Sequence, residues 1–392
     1  MHKIIILTAF FAISDLALAQ EQRDFAFYNN ETYALYMKAN WEELIPMAKE
    51  GLKNGFDSYY IRMRLGIAFY EQKKYTQALK QFEHALDFFP ESTDAKSYMQ
   101  YCYRFLDRSK EAFQYGSAKD ENPKIFQSLY FEPGIKLSDN KALTRNTYYV
   151  FIGLNHEFGK RISLFHGYQR LESDLAYVST ITGGPGPGGS VLQSESIYKV
   201  FQNEYYAALS FFIGNGFYLS PAYHYQGVKG DGYLGYNNVG SIQLTKWAGK
   251  FKIHAGYYYS DINNLNQQQV ELGLAFYPFG NTNLSLLTQA TTHIQENIST
   301  SVYYNKLGVK VSPTTWLEAS MSYGDMINFS ELNSYVVYNQ LDKITSRWGV
   351  SINQLLGKHV LYLSYVRENK EEYSTEIPFS HNDIIVGFNL TF

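Results

Sequence analysis

Apolar side chains recur at every second position along most of the chain from about residue 125 to Phe392, and this alternation limits the fold more than any other feature. A two-residue period predicts β-strands with one apolar and one polar face. Strands of soluble sheets average about 5–6 residues, whereas a tilted strand needs roughly 9–11 residues to cross a bilayer. Because many of the alternating runs exceed the soluble average, they favour membrane-spanning strands over a soluble β-sandwich. The clearest runs lie at 148–154, 251–259, 270–276 and 317–323.

Between these runs, tight turns alternate with longer polar connections. The predicted tight turns are 159–160, 215–216, 249–250, 280–281, 313–314 and 357–358. The predicted longer loops are about 175–195, 229–236, 261–267, 295–299, 326–333 and 370–381. Bacterial outer-membrane barrels have short periplasmic turns and longer external loops. The pattern therefore predicts an antiparallel transmembrane β-barrel over residues 125–392.

The strand count follows from where the first strand begins. A first strand at about 126–137 gives about 14 strands, provided that 334–356 is one long strand that extends above the membrane. An even count returns the C-terminus to the side of the membrane on which the barrel begins, as in bacterial single-chain barrels. Twelve strands is the alternative if the first pair lies outside the wall.

The composition agrees with a barrel. Aromatic residues make up 17% of the chain, with 36 Tyr and 27 Phe, and the mean hydropathy is -0.30. Rings with a polar tip suit the boundary between lipid and water. A slightly polar average fits a barrel with one polar face and does not fit a bundle of transmembrane helices. The net charge of -3 gives no basic excess, so we expect no nucleic-acid partner.

The chain ends in a strand with four apolar residues on one face, Val386, Phe388, Leu390 and Phe392. This ending resembles the C-terminal insertion signal of bacterial outer-membrane barrels, in which a terminal Phe follows alternate apolar positions. The resemblance implies recognition by the barrel assembly machinery and insertion into outer-membrane lipid.

Residues 1–19 have the features of a secretory signal peptide. An apolar run covers 4–13, and the Ala-Leu-Ala at 17–19 forms a small-x-small cleavage site that leaves Gln20 as the mature N-terminus. After residue 20, no apolar run approaches the ~18 residues of a spanning helix. The chain is therefore predicted to be exported and not to be held by a transmembrane helix.

Residues 20–122 carry apolar side chains at helical spacing and contain an internal repeat. The segment 59–92 has large and small residues at the offsets of the 34-residue tetratricopeptide (TPR) pattern and resembles that family. Its packing residues are Leu65, Gly66, Phe69, Tyr75, Ala78, Phe82, Ala85 and Pro90. Two degenerate repeats, 25–58 and 93–122, flank it. The single cysteine, Cys102, is predicted to be a buried helical residue.

The resemblance to TPR proteins implies an all-α repeat domain that docks a periplasmic protein or peptide. A spacer or a plug below the barrel is the alternative. The order of TPR-like helices, barrel and closing Phe resembles the YaiO family of outer-membrane barrel proteins over nearly the whole mature chain. That resemblance implies a barrel in the bacterial outer membrane with its N-terminal domain in the periplasm, and it indicates location and fold rather than activity.

The polar faces of the strands carry charges of both signs. Such charges are costly in hydrocarbon, so we expect them to line a wet lumen. The candidate lumen-lining residues are Glu204, Lys252, His254, Glu271, Lys306, Lys310, Glu318 and Arg347. Two interpretations remain open. Either the charges pair and stiffen a narrow barrel, or the lumen conducts or contacts a polysaccharide, with Tyr206, Tyr258 and Trp247 as stacking surfaces.

The sequence assigns no catalytic residue, no cofactor and no metal ligand. Neither a GxSxG nor an HExxH motif occurs. The predicted function is that of a non-enzymatic envelope component whose TPR-like domain docks a partner and whose barrel supports polysaccharide export or envelope assembly. The alternative is an outer-membrane barrel enzyme that modifies lipid or glycan.

Overall fold

The computed structural model describes residues 23–106, 108–115, 124–140, 144–182, 191–230, 232–340, 342–373 and 375–392. The predicted signal peptide, 1–19, lies outside the described residues. The chain divides into two compact units, one ending at Cys102 and one running from Tyr103 to Phe392. The last helical residues therefore belong to the same unit as the strands.

The described N-terminal residues form six helices: α1 (Phe25–Met37), α2 (Trp41–Lys53), α3 (Tyr59–Glu71), α4 (Tyr75–Phe88), α5 (Thr93–Phe105) and α6 (Ser109–Tyr115). Side-chain caps begin the first three, where Asp24, Asn40 and Ser58 each accept a hydrogen bond from a backbone N–H of the first turn. Short connections join the helices and place neighbours side by side. No described helix is long and apolar enough to cross a membrane.

Helices α3 and α4 pack closely because a glycine lies at their contact. Of the eight residues predicted to pack in this repeat, seven are buried and Pro90 is exposed. A Cβ added to Gly66 would lie 2.5 Å from Cε1 of Phe82, whose own ring is fully buried and stacks on Tyr98. The ring cannot move aside without displacing its neighbours, so only glycine fits here.

Replacing Gly66 with Val is expected to destabilise the helical unit by about 1–3 kcal/mol, because the added methyl groups overpack a full contact. The free energy of unfolding is measured from the helical circular dichroism signal during urea titration of the full chain in detergent. Lys80→Ala, an exposed change on α4, serves as the control and should leave the midpoint within experimental error. Equal midpoints for the two variants would contradict the close packing.

Cys102 lies on α5 with no exposed surface, and burial raises the pKa of its thiol to about 12. At pH 8 almost none of it is thiolate, which is the reactive form. We therefore expect a maleimide to label the folded protein very slowly, and to label it rapidly once urea unfolds the helices. Fast labelling without denaturant would show that the helices do not enclose this side chain.

Fourteen strands form a closed antiparallel barrel in which β1 pairs with the last strand, β16. A separate two-stranded hairpin, β12–β13, lies between two barrel strands. The predicted count of 14 is confirmed. The strands are β1 (Phe126–Ser138), β2 (Thr144–Phe158), β3 (Ile162–Thr182), β4 (Val191–Gly214), β5 (Phe217–Gly230), β6 (Tyr233–Ala248), β7 (Phe251–Ile262), β8 (Leu265–Phe276), β9 (Leu284–Gln295), β10 (Ile298–Ser312), β11 (Thr315–Met326), β12 (Phe329–Glu331), β13 (Val336–Tyr338), β14 (Lys343–Leu356), β15 (His359–Glu371) and β16 (Pro378–Thr391).

One end of the barrel carries the predicted turns, and we call it the turn end; the opposite end is the loop end. The turn predicted at 280–281 is not tight, because β8 ends at Phe276 and β9 begins only at Leu284. At the turn end, Asn215 and Gly216 both adopt left-handed backbone angles, φ 48° and 74°, as a two-residue type I′ turn requires. The loop end is tighter than predicted. Two of its predicted loops, 261–267 and 295–299, are two-residue turns at Asn263-Asn264 and Glu296-Asn297, all with positive φ.

Other connections were also predicted wrongly. Within the predicted loop 175–195, β3 runs to Thr182 and β4 begins at Val191, and the predicted loop 229–236 shrinks to the short connection between Gly230 and Tyr233.

The connection between β11 and β14 differs most. Residues 326–333 were expected to form an outer loop, and 334–356 one long strand. Instead, β12 and β13 pair as a hairpin, with Phe329 opposite Tyr338, and β14 begins only at Lys343. Positive φ angles at Leu332, Asn333 and Ser334 turn the chain back on itself, and this reversal ends the strand that the sequence pattern predicted.

Candidate functional site in the barrel lumen

The segment between β11 and β14 folds into the barrel. We call residues 327–340 the lumenal hairpin. Its base is anchored in an apolar cluster in which Phe329 and Tyr338 of the hairpin pack with three barrel residues, Val302, Met326 and Ile344. All five are buried. This cluster fixes where the hairpin leaves the wall.

The tip of the hairpin is held by Asn333, which bonds to four neighbouring strands. Its backbone N–H donates to the Tyr258 hydroxyl (3.2 Å), and its carbonyl accepts from the Tyr206 hydroxyl (3.1 Å). Its side-chain Nδ2 donates to the carbonyl of Ser220 (3.2 Å), and its Oδ1 accepts from the Ser241 hydroxyl (3.1 Å). Side chains on β4, β6 and β7 and a backbone carbonyl on β5 therefore converge on one asparagine.

Further polar contacts flank the tip. The carbonyl of Ser334 accepts from Nδ1 of His224 (2.7 Å), which places the other ring nitrogen, Nε2, 2.8 Å from a carboxylate oxygen of Glu204. On β8, the amide of Gln269 bonds both backbone groups of Ser330, at 2.9 and 3.0 Å. The hairpin thus pairs with the wall through groups that could equally bond water.

Aromatic contacts complete the wall around the tip. The ring of Tyr335 lies 5.6 Å from that of Phe151 on β2 and 5.2 Å from that of Tyr206 on β4, measured between centroids. Both arrangements are edge-to-face, the geometry that such rings prefer. These contacts attach the hairpin to β2 and β4, and the apolar cluster at its base attaches it to β10 and β11.

A charged cluster lies where the barrel closes. Lys136 on β1 contacts Glu368 (2.9 Å) and Asp383 (3.3 Å), and Glu368 also lies 3.6 Å from both Arg347 and Lys370. Because an unpaired buried charge is costly, this mutual pairing is what allows the charges to occupy the interior. The cluster joins β1, β14, β15 and β16 around the seam.

Arg347 also connects this cluster to the hairpin. The buried carboxylate of Glu331 accepts from the hydroxyls of Ser322 (3.1 Å) and Tyr338 (3.0 Å) and lies 3.8 Å from Arg347. The hairpin therefore bonds to the lumen wall through Asn333 on one side and through Glu331 on the other.

Each of the eight candidate lumen residues is buried or half-buried and has an exposed neighbour along its strand. Arg347 lies 3.8 Å from Glu331 of the hairpin, whereas Glu204 contacts His224, which in turn bonds to the hairpin at Ser334. His254 and Glu271 lie 3.2 Å apart, and Lys306 and Glu318 2.9 Å apart. The ammonium groups of Lys310 and Lys252 lie over the rings of Trp316 (4.3 Å) and Trp247 (5.7 Å).

Sequence reasoning missed the hairpin residues and four of the five members of the charged cluster. Asn333 and Glu331 fell in a predicted outer loop, and of the cluster only Arg347 was singled out, whereas Lys136, Glu368, Lys370 and Asp383 were not. The one available signal was the pair of apolar residues Phe329 and Tyr338, which are unusual in a solvated loop.

Helix α6 lies at the turn end, within the same unit as the strands. Glu111 is buried; it pairs with Arg108 at 2.7 Å and accepts a hydrogen bond from the Tyr218 hydroxyl of β5. Lys110 contacts Glu157 of β2, and the Arg108 guanidinium lies 5.3 Å from the ring of Trp247. A short helix with buried charges therefore occupies part of the barrel mouth.

The outer face is apolar. Large hydrophobic side chains stand exposed on alternate positions of most strands. In the last strand, Phe388, Leu390 and Phe392 are exposed and Val386 is half-buried. Phe392 packs against Phe126 of β1 at 4.8 Å between ring centroids. An even number of antiparallel strands, an apolar outer band and a polar interior are the features of an outer-membrane β-barrel.

Comparison with known proteins finds similar folds among solved structures. No family model matches it, and no curated protein matches it. Similar solved structures include the CymD monoaromatic hydrocarbon channel, at 8% identity and a TM-score of 0.45 over 69% of this chain and 89% of that chain. The Ralstonia pickettii toluene transporter TbuX matches at 9% identity and a TM-score of 0.47, over 68% and 90% of the two chains.

A third match is the translocator domain of the autotransporter NalP from Neisseria meningitidis, at 12% identity and a TM-score of 0.35, over 70% of this chain and 90% of that chain. These three proteins are a channel, a transporter and a translocator domain. At such identities and scores the likeness concerns the fold, and it carries no argument about what this chain does.

Proposed function

We propose that the protein is a non-enzymatic outer-membrane barrel that rests closed and opens when the lumenal hairpin leaves the wall. The observation that carries this proposal is the tip of the hairpin, where Asn333 bonds to four strands through polar groups alone. A segment held in this way can exchange its partners for water. Each such exchange changes the free energy by only about 0.5–1.5 kcal/mol.

Backbone strain at the tip favours a second position for the hairpin. Leu332, Asn333 and Ser334 all adopt positive φ angles, between 55° and 67°, and none of them is glycine. Residues held in such sparsely populated regions cost of order 1–3 kcal/mol each and persist only where the surroundings impose them. Strain of this size offsets several of the wall bonds, so the inserted state is favoured by a modest margin.

The cargo that best suits the lumen is a polar polymer, and we propose a polysaccharide. The inward side chains near the hairpin include amides, hydroxyls and carboxylates, among them Gln226, Asn237 and Gln289. These groups offer both donors and acceptors, which sugar hydroxyls require. The lumenal rings of Tyr206 and Tyr258 add flat surfaces of the kind that sugars stack on.

For the N-terminal helices we propose a TPR-like periplasmic domain, as in the YaiO family, that docks a partner. The close contact of α3 and α4 at Gly66 supports this proposal, and α6 continues the chain from these helices to Glu157, Tyr218 and Trp247 of the barrel. A partner bound to the N-terminal helices thus acts on the turn end of the barrel through α6, which is continuous with those helices.

We call the movement of the lumenal hairpin away from the wall the gate. A disulfide that locks the hairpin to the wall tests it. Ser241 and Asn333, whose side chains are 3.1 Å apart, are both replaced with Cys. In planar bilayers we expect the oxidised protein to carry no current and the reduced protein to open, because losing the Asn333 bonds weakens the closed state. Ser241→Cys alone is the control, and its current should be the same under oxidising and reducing conditions. Identical currents from the oxidised and reduced double variant would refute the gate.

The docking role needs a separate test. The full chain in detergent is incubated with periplasmic extract, and captured proteins are compared with those retained by Tyr60→Ala. Tyr60 is exposed on α3 beside Arg64, whose guanidinium lies 5.7 Å from its ring. A partner captured by the wild type and lost in this variant supports docking at α3. Capture of nothing above the background of empty resin contradicts it.

A further inference from the structure

Two histidines on neighbouring strands face each other on the outside of the barrel. His156 of β2 and His166 of β3 have their Nε2 atoms 3.2 Å apart. Their rings are nearly parallel, at 13°, with centroids 5.2 Å apart. Strand register explains the pairing, since His166 lies opposite Leu154 and therefore diagonally from His156 on the same face.

The second ring is held in place by a tyrosine. Nδ1 of His166 lies 3.1 Å from the hydroxyl of Tyr205 on β4. When that nitrogen carries the proton, its bond to the tyrosine oxygen leaves Nε2 with a free lone pair directed at His156. Metal-binding histidines commonly use their second nitrogen in this way, and the contact fixes both the tautomer and the orientation of the ring.

The spacing matches a pair of metal ligands. Zinc binds imidazole nitrogens at 2.0–2.1 Å in tetrahedral geometry, which places two such nitrogens about 3.3–3.4 Å apart. The observed separation of 3.2 Å is close to this value, so an ion could enter with little movement of either ring. Both side chains are half-buried, so part of each ring is accessible from outside the barrel.

We propose that His156 and His166 form a binding site for one first-row divalent cation, zinc or copper, on the outer face near the turn end. Imidazole suits these ions, and copper binds such ligands more tightly than nickel or cobalt. No group of three or more His, Cys, Asp or Glu able to hold a metal occurs in the described part of the chain. The protein therefore supplies two ligands, and water completes the coordination.

The position gives the ion a structural role. His156 lies just before the turn between β2 and β3, within a belt of rings that includes Phe126 and Phe158. An ion shared by two strands ties them together at this edge. Because it binds the folded barrel only, it should raise the temperature of unfolding, and the stabilisation should grow with the logarithm of the ion concentration divided by its Kd.

Zinc chloride and copper sulfate are titrated by calorimetry into the full chain, purified in detergent with a tag that contains no histidine. We expect one ion per chain for the wild type. His166→Gln should weaken binding at least tenfold, and Tyr205→Phe about tenfold, as for other residues that orient a metal ligand. His84→Gln, which alters an exposed histidine on α4, should bind like the wild type.

Copper electron paramagnetic resonance gives a second readout, with two nitrogens coupled in the wild type and one in His166→Gln. Heat-modified migration on gels verifies that each variant forms a barrel. Unchanged binding in the His156→Gln/His166→Gln double variant, or a spectrum without nitrogen coupling in the wild type, would overturn the assignment. Neither result bears on the gate, which rests on different residues.

Discussion

Replacing residues 328–340 with a short Gly-Ser linker is expected to turn a closed barrel into a conducting one. The linker can join the barrel strands directly, because Met326 of β11 and Ile344 of β14 are paired neighbours. Removing the hairpin frees the polar side chains that it covers, including Glu204, His224 and Gln269. Water then fills the space, as it does in porins, and single-channel current should rise at least about tenfold.

The measurement is conductance of the purified full chain in planar bilayers, with folding verified by heat-modified migration on gels. Leu332→Ala is the matched control, because this tip side chain is exposed and its removal leaves the Asn333 bonds in place. It should be as silent as the wild type. If the deleted chain folded and still carried no current, the lumen would be closed by something other than the hairpin, and the proposed gate would be wrong.

The barrel could be predicted from sequence because its cause is local. A strand between lipid and water must alternate, so residues such as Ile253 and Tyr257 mark one face and His254 the other. By the same alternation, each of the eight candidate residues is buried or half-buried beside an exposed neighbour. The even strand count followed from counting these runs, once a first strand at about 126–137 was assumed.

The lumenal hairpin could not be predicted from sequence, because the same polar residues occur in solvated loops and in segments that bond to a barrel wall. Asn333 and Ser334 are ordinary loop residues, and their partners Tyr206, Ser220 and Tyr258 lie more than seventy positions away in the sequence. Tight connections at the loop end were missed for a related reason. Polar residues such as Asn263 and Asn264 read as a loop, yet they form a two-residue turn.

Charge pairing at the seam depends on register across the closure. Lys136 meets Glu368 although β1 and β15 are separated by β16 and lie at opposite ends of the barrel sequence. A shift of two residues along any of these strands would change every partner while keeping the alternation. The inward position of a charge is therefore predictable from sequence, whereas the identity of its partner requires the folded barrel.

Arginine at the middle of the outer face should be costly if this face lies in lipid. Leu272 stands near the centre of β8 and Leu234 near the loop end of β6, and both side chains are 62% exposed. We expect Leu272→Arg to lower the free energy of unfolding by about 2–4 kcal/mol and Leu234→Arg by about 0–1 kcal/mol, because the cost of a charge falls towards the membrane surface.

Urea titration of each variant refolded into lipid vesicles, followed by tryptophan fluorescence, gives both free energies. Equal exposure makes the pair a matched test, since the two sites differ in height along the barrel and not in how much of the side chain is covered. A barrel in water would tolerate both changes equally, because surface substitutions there usually stay within about 0.5 kcal/mol. Equal losses of unfolding free energy in the two variants would therefore contradict a membrane-embedded outer face. A much larger loss for Leu272→Arg places the middle of the apolar band in hydrocarbon.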